Sequence, residues 1–261
     1  MTVWNTANSV LTLDRTLIMG ILNVTPDSFS DGGDAFNPDA AVKRALQLQQ
    51  DGADILDIGG QSTRPGHTPI SWEEEWARLA PVLAALQGNL SIPISVDTFY
   101  REVAARAIDA GTAIINDVSG SLHNDMCALA AQTGAGLVLM NPQNDLGYFD
   151  NALAAADAAG LARKHVVLDI GIGFGKTRDD DRAALAAIPT LVQRYNRPVL
   201  VGASRKRITD PDDLLAPKDR LAATIALHTA AQLNGARILR VHDVKEAVAA
   251  ACAIDLYKEK R

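Results

Sequence analysis

Only two cysteines occur in the 261 residues, Cys127 and Cys252, and neither stands in a C-x-x-C or Cys/His spacing. That excludes a disulfide-stapled scaffold and a zinc ribbon, and the pair reads as buried thiols in a reducing compartment. Positive charge is short as well, with a net charge of -6 and a pI near 5.3. A nucleic-acid or polyanionic-surface partner would need a basic stripe, so none is expected. Small anionic ligands stay open, because a local cluster of Arg, Lys and His can sit on an acidic protein. No apolar run reaches the ~18 residues of a membrane span, and MTVWNTANSV has no basic patch ahead of an apolar core. A cytosolic, soluble protein with no membrane partner is the expectation. Also missing are a G-x-G-x-x-G after the first apolar run, a G-x-S-x-G elbow, and any linker or low-complexity stretch. GIGFGKT at 171 to 177 invites a phosphate-loop reading, but that motif needs Gly at 170, where the chain has Ile170. It reads as a turn.

What is present is a repeated unit. Short β-branched or Leu-rich runs recur as LIMGILNV (17 to 24), DILDIG (54 to 59), PISVDT (93 to 98) and AIINDV (113 to 118). LVLMN (137 to 141), VVLDIG (166 to 171), PVLVGAS (198 to 204) and ARILRVHD (236 to 243) complete eight. Between them lie Ala/Leu/Arg/Glu-rich segments with three-and-four spacing, and three end at Gly52, Gly111 and Gly235, where helix C-caps belong. Near-continuously apolar strands alternating with helices imply a parallel sheet covered by helices. Eight units imply a closed (β/α)8 barrel of the α/β class, one domain over residues 1 to 261. VLTLD near the N-terminus predicts a short strand pair closing the barrel bottom.

Such barrels carry their chemistry at the C-terminal ends of the strands. Here those ends hold Asn23, Asp97, Asn116, Asp117, Asn141, Asp169, the run Ser204, Arg205, Lys206, and then Arg240, His242 and Asp243. Asp97, Asn116 and Asp169 make an acceptor-rich pocket suited to a flat heterocycle with amino and ring N–H donors. Asn23, Arg64, Arg240 and His242 supply donors for a phosphate or carboxylate, and Lys206 serves either side. A heterocyclic head with a phosphorylated tail fits better than a sugar or peptide. Asp39, Asp125 and Asp219 are expected to cap helices. Asp57 lies inside its strand, either in the site or as a hydrogen-bonder beneath it. His67, His123, His165 and His228 are expected on the surface or on helices.

The blocks NVTPDSFSDGG (23 to 33), GADILDIGGQSTRPG (52 to 66), ISVDT (94 to 98) and IND (115 to 117) resemble the dihydropteroate synthase family. LDIGIGFGKT (168 to 177), GASRK (202 to 206) and RVHDV (240 to 244) continue the resemblance in family order. It implies that 4-aminobenzoate displaces pyrophosphate from 6-hydroxymethyl-7,8-dihydropterin pyrophosphate, with Mg²⁺ accompanying the pyrophosphate and a homodimer as the usual assembly. By the same resemblance Asp97, Asn116, Met140, Asp169 and Lys206 hold the pterin. Asn23, Thr63, Arg240 and His242 hold the pyrophosphate, with Asn23 on the metal. Asp97, Lys206, Asp27 and Arg64 are the expected catalytic residues, and loops carrying Asp27, Phe29, Thr63, Arg64 and Pro65 close over the aminobenzoate pocket beside Arg207.

Several positions depart from the family pattern. Gln61 replaces Glu in the GGESTRPG block, Arg207 replaces Ser after SRK, MNPQND stands for an HMxG-type stretch, and Ile170 replaces Pro. The link to the sixth strand is short, with room for about one three-turn helix. None of these removes a pterin or pyrophosphate ligand. Two other readings stay open: a paralogue that binds pterin with a lost or altered second substrate, and a methyltetrahydrofolate-dependent methyltransferase. The SRK and RVHDV blocks argue against the latter, since a methyl donor carries no pyrophosphate.

Overall fold

Alternation in the first residues builds a small plug. Val3–Asn5 (β1) and Val10–Thr12 (β2) pair antiparallel, with Trp4 opposite Leu11. Then come Leu17–Asn23 (β3), Ile55–Gly59 (β4), Ile94–Thr98 (β5), Ile114–Asp117 (β6), Gly136–Met140 (β7), Val166–Asp169 (β8), Val199–Val201 (β9) and Ile238–Val241 (β10). These eight strands are all parallel and close into a barrel when β10 pairs with β3. The computed structural model describes residues 2–25, 38–61, 68–122, 125–210 and 212–258. The barrel, its outer helices and the bottom strand pair are as the sequence pattern predicts.

The outer layer is made of Pro38–Gln50 (α1), Trp72–Leu86 (α2), Arg101–Asp109 (α3), Met126–Thr133 (α4), Tyr148–Ala158 (α5), Arg178–Ala186 (α6), Ile188–Tyr195 (α7), Leu221–Leu233 (α8) and Val244–Lys258 (α9). The short link after β7 holds α5, a helix of 11 residues, which is the three turns the sequence allows. Gly52, Gly111 and Gly235 close their helices at φ +100, +94 and +107, a region open to glycine without strain. The expected aspartate caps differ. Asp39 lies inside the first turn of α1, and Asp125 takes the N-cap place at φ 57 without a side-chain cap bond. Asp219 ends a 3-10 turn ahead of Arg220, the N-cap residue of α8. Side-chain caps come instead from Ser71, which accepts from Glu74 N, and from Thr177, which forms a capping box with Asp180. No helix among the described residues is long and apolar enough to cross a membrane.

A strand has a period of two, and that period sorts the core. Leu17, Met19, Ile55, Ile114, Val138, Val167, Leu200 and Ile238 meet Trp4 and Leu13 in one cluster that fills the lower barrel. Their strand neighbours, such as Ile18, Leu56, Ile115, Leu168 and Leu239, pack outward under the helices. Trp4 is fully buried, and its indole N–H donates to His165 O at 2.8 Å. One expectation fails: Cys127 is half-buried, but Cys252 is exposed on α9 rather than buried.

Candidate active site

Two residues above the apolar layer, the same inward face turns polar. Ile55 leads to Asp57, Ser95 to Asp97, Ile114 to Asn116, Val138 to Met140, Val167 to Asp169 and Ile238 to Arg240. Strand register then places these groups side by side, with Asp97 opposite Asn116 and Met140 opposite Asp169. At the corresponding step in β9 the chain has Gly202, where an added Cβ would lie 3.7 Å from Arg240 Cβ and 3.9 Å from Lys206 Nζ.

Arg240 ties the ring together. Its Nε donates to Asp57 Oδ2 at 2.6 Å, and its terminal nitrogen pairs with Asp97 Oδ2. Asn116 Nδ2 reaches the same Asp57 oxygen at 3.2 Å. Asp57 is therefore a fully buried brace beneath the mouth, the second of the two roles open to it. Lys206 donates to Ile172 O at 2.6 Å and lies 4.6 Å from the centre of the Phe174 ring. Asp169 Oδ1 accepts from Gly171 N at 2.8 Å. Three carboxyls, from Asp57, Asp97 and Asp169, thus face two cations, Arg240 and Lys206.

The unmet hydrogen bonds are as informative as the made ones. Asp57 Oδ1, Asp97 Oδ1 and Asn116 Oδ1 are buried and have no partner among the described residues. An orphaned buried acceptor costs about 1 to 3 kcal/mol, so the two that line the mouth, on Asp97 and Asn116, call for a donor-rich ligand. Burial pushes the Asp97 carboxyl up to about 7, against the pull of Arg240. Burial also raises the Asp169 carboxyl, with Lys206 opposing. It brings the Lys206 ammonium down to about 8, with Asp169 opposing. For Arg240 burial works against the charge, but Asp57 and Asp97 outweigh it and keep the guanidinium firmly protonated.

On the neighbouring rim, Ser204 Oγ and His242 Nδ1 are 3.0 Å apart. Asn23 ends β3 and is half-buried. Arg205 is engaged by Asp243 through two bonds of 3.0 and 2.5 Å, which takes both out of the mouth. Asn141 and Asp117 serve their own loops. Asn141 bonds Asp145 O and Gln143 N, and Asp117 accepts from Ser119 N. Arg207 lies in a 3-10 turn with its side chain 68% exposed, 3.8 Å from Asp213. Asp27, Phe29, Thr63, Arg64 and Pro65 lie outside the described residues, as do His67 and His123. His165 sits in a 3-10 turn, and His228 is buried on α8, where its Nε2 accepts from Ala203 N at 3.1 Å. Burial brings His228 down to about 4, so it is a neutral brace.

Among the buried polar residues that escaped the sequence reading, Glu75 stands out. Glu75 is fully buried on α2 and accepts from Gln61 Nε2 at 2.6 Å. The signal was there: Glu75 shares a helical stripe with Leu79, Val82, Leu83 and Leu86, although WEEEW looks like an acidic first turn facing solvent.

Residues 19 to 242 match the model of the pterin binding enzyme family. The chain belongs to that family. It is 42% identical to the dihydropteroate synthase of Synechocystis sp., over 92% of this chain and 89% of that protein. Two solved Xanthomonas albilineans dihydropteroate synthases share its fold. One, with 4-aminobenzoic acid, superposes at a TM-score of 0.90 with 39% identity, over 99% of this chain and 98% of that one. The other, in complex with 7,8-dihydropteroate, gives 0.88 with 37% identity, over 97% and 98%. The strand-end polar ring is thus carried by a barrel of the pterin binding enzyme family.

Proposed function

We infer that this chain is a dihydropteroate synthase, a transferase of folate biosynthesis. It joins 4-aminobenzoate to 6-hydroxymethyl-7,8-dihydropterin pyrophosphate with release of pyrophosphate. The observation that carries the reading is the pair of buried orphan acceptors, Asp97 Oδ1 and Asn116 Oδ1, on the inward face of a pterin binding barrel, above the brace of Asp57. A pterin ring offers amino and ring N–H donors to such a set. We assign Asp97, Asn116 and Asp169 to the ring edge, Lys206 to its carbonyl side and Met140, between Asn116 and Asp169 on that face, to an apolar contact.

Reaction breaks the bond between the exocyclic carbon and the pyrophosphate oxygen, and the amine nitrogen forms the new bond to that carbon. The amine then gives up a proton to solvent or to the departing pyrophosphate. Electron-rich pterin spreads positive charge as the leaving group departs, so the protein's task is charge placement. Three carboxyls against two cations make a mouth that favours a cationic ring. Aromatic amine is neutral near pH 7 and needs no activated nucleophile. Arg240, His242 and Asn23 stand on the side we assign to pyrophosphate, and Arg240 keeps N–H groups beyond those spent on Asp57 and Asp97.

No group of three or more His, Cys, Asp or Glu able to hold a metal occurs among the described residues. Mg²⁺ commonly takes one or two protein oxygens and leaves the rest to phosphate and water, which the Asn23 side-chain oxygen fits. Bound there with pyrophosphate, it would neutralise leaving-group charge. On the family resemblance alone we assign Asp27, Phe29, Thr63, Arg64 and Pro65 to the closing segments, with Thr63 on pyrophosphate and Arg207 at the aminobenzoate rim.

We further propose one barrel domain, residues 1 to 261, working in the cytoplasm as a homodimer. The exposed Ala222, Ala226, Ala230 and Leu233 of α8 and Ala249, Ala253, Leu256 and Tyr257 of α9 support the pairing, since these two helices pack against each other. An exposed, unpaired Cys252 suits a reducing compartment.

The deciding experiment incubates the purified protein with the pterin pyrophosphate, 4-aminobenzoate and Mg²⁺, following pyrophosphate and dihydropteroate. Both products are expected in equal amounts. Pterin binding without turnover would favour the paralogue with an altered second substrate.

A further inference from the structure

Glu75 is a fully buried ionisable group with no part in the reaction above. Its Oε2 accepts from Gln61 Nε2, yet Glu75 Oε1 and Gln61 Oε1, the other oxygen of each group, are both buried without a hydrogen bond of good geometry, although the Thr98 hydroxyl stands near the carboxyl. Two acceptors cannot satisfy each other, and a carboxylate has no proton to offer. A carboxylic acid does. One proton on Glu75 Oε1 would supply a donor, and shared with Gln61 Oε1 it would close a two-bond ring between acid and amide.

We propose that Glu75 is a positioning residue held as a neutral acid, whose ring with Gln61 fixes the end of β4 against β5 beside Asp97. The contacts form a continuous path. A Cβ on Gly60 would lie 2.9 Å from Glu75 Cγ, and one on Gly59 would lie 3.5 Å from Asp97 Cβ. Ionised Glu75 would lose the ring and add a negative charge close to Asp97.

The surroundings favour the acid. Burial pushes the Glu75 carboxyl up to about 7 and Asp97 on β5 adds to the rise, while the Thr98 hydroxyl, the Gln61 amide and Arg78 oppose it. Arg78, on the same helix, spends its guanidinium on Gly60 O at 3.0 Å and on Glu74 at 2.5 Å. Tyr100, beyond β5, feels the charges of Glu75 and Glu73, but its hydroxyl donates to Ile70 O at 2.6 Å.

The sign follows from linkage. A carboxyl raised from 4.5 to about 7 on folding stabilises fully below 4.5, and that contribution is lost as pH rises through 7. The test compares urea unfolding of the wild type, Glu75→Gln, Glu75→Ala and Gln61→Ala from about pH 5 to 8. Gln at 75 can keep a ring of two N–H···O bonds without a titrating proton. The wild-type unfolding constant is expected to rise relative to that of Glu75→Gln by up to about tenfold per pH unit toward 7. Infrared spectra near pH 6 should show a buried protonated carboxyl that Glu75→Gln removes.

The catalytic half rests on the synthase reading. Glu75→Gln should keep turnover within about twofold, while Glu75→Ala, or Gln61→Ala if that variant does not fold, should lose about tenfold. Parallel stability curves for wild type and Glu75→Gln, or a carboxyl band unchanged by that substitution, would overturn the protonated ring. Glu75→Gln as impaired as the alanine variants would overturn the positioning role. A wild type without synthase activity would remove the functional reading while the stability and infrared arms still decide the ring.

Discussion

At the scale of single residues, Asp97 and Lys206 carry the sharpest consequences. Asp97 pairs with Arg240 through one oxygen and leaves the other unmet, so Asp97→Asn removes the charge we assign to stabilising the ring and weakens the anchor of Arg240. Turnover should fall more than about tenfold with the fold intact by circular dichroism, an expectation from the usual cost of lost transition-state electrostatics. Near-wild-type turnover would mean that the pterin lies elsewhere. Lys206 makes a different prediction. Because burial lowers its ammonium to about 8, kcat/KM should decline as pH rises through 8 while the charge is lost. Lys206→Arg, charged throughout, should lack that limb even if its absolute rate is lower, and an unchanged alkaline limb would assign it to another group. Which strand-end residues would face the ligand was only half legible in the sequence. Asn116 and Asn141 both follow apolar runs, but Asn116 keeps the inward parity of β6 and Asn141, one residue past β7, turns back to Asp145. Period two separates them once strand ends are known, and strand ends are what pattern reading fixes least well.

Among the elements, the turn from β8 to α6 shows how local chemistry supports the site. GIGFGKT forms the connection from β8 to α6. Lys176 donates to Asn141 O at 3.0 Å and to Ile170 O at 2.5 Å, lacing the ends of β7 and β8 together. Gly173 N donates to Asp181, and the Thr177 capping box starts α6 immediately after the turn. Within it, Gly171 has φ +65 and an added Cβ would meet Asn141 O at 2.0 Å, a collision with main chain that no rotamer relieves. Gly175 has the same φ with open space around it. Gly175→Ala should therefore cost only the ~1 to 2 kcal/mol of a left-handed alanine. Gly171→Ala should cost more than that and also weaken pterin binding, because Gly171 N holds Asp169. Urea unfolding and pterin titration of the two variants give the comparison, and equal losses would show that the close approach to Asn141 does not matter.

Over the whole molecule, the barrel separates a stabilising end from a reacting end, and the sequence spelled out that division unevenly. Eight apolar runs with helical segments between them made the closed parallel barrel legible, because buried parallel strands are apolar on both faces. The partnerships across the barrel were not, since Arg240 meets Asp57 and Asp97 only after closure brings β10 round to β3 and β4. Glu75 was hidden for a different reason: it lies on the buried stripe of α2, but Glu73 and Glu74 beside it make the first turn look solvent-facing. The bottom plug gives the cleanest test of the division. Trp4 is buried among Leu17, Ile55, Ile114 and Ile238, and its indole holds His165 O. Trp4→Ala removes that filling and the donor, and should cost about 3 to 5 kcal/mol in urea unfolding. The polar ring stands one layer higher, on Asp57, Asn116 and Arg240, each two residues beyond its apolar partner in the bottom layer. If the apolar layer insulates the mouth, kcat/KM of the folded variant at low temperature should stay within about threefold of wild type, as bottom-face residues of such barrels serve stability. A large loss of kcat/KM in protein that is demonstrably folded would mean instead that the plug sets the height of the strand ends, and that the two ends of this barrel are mechanically one.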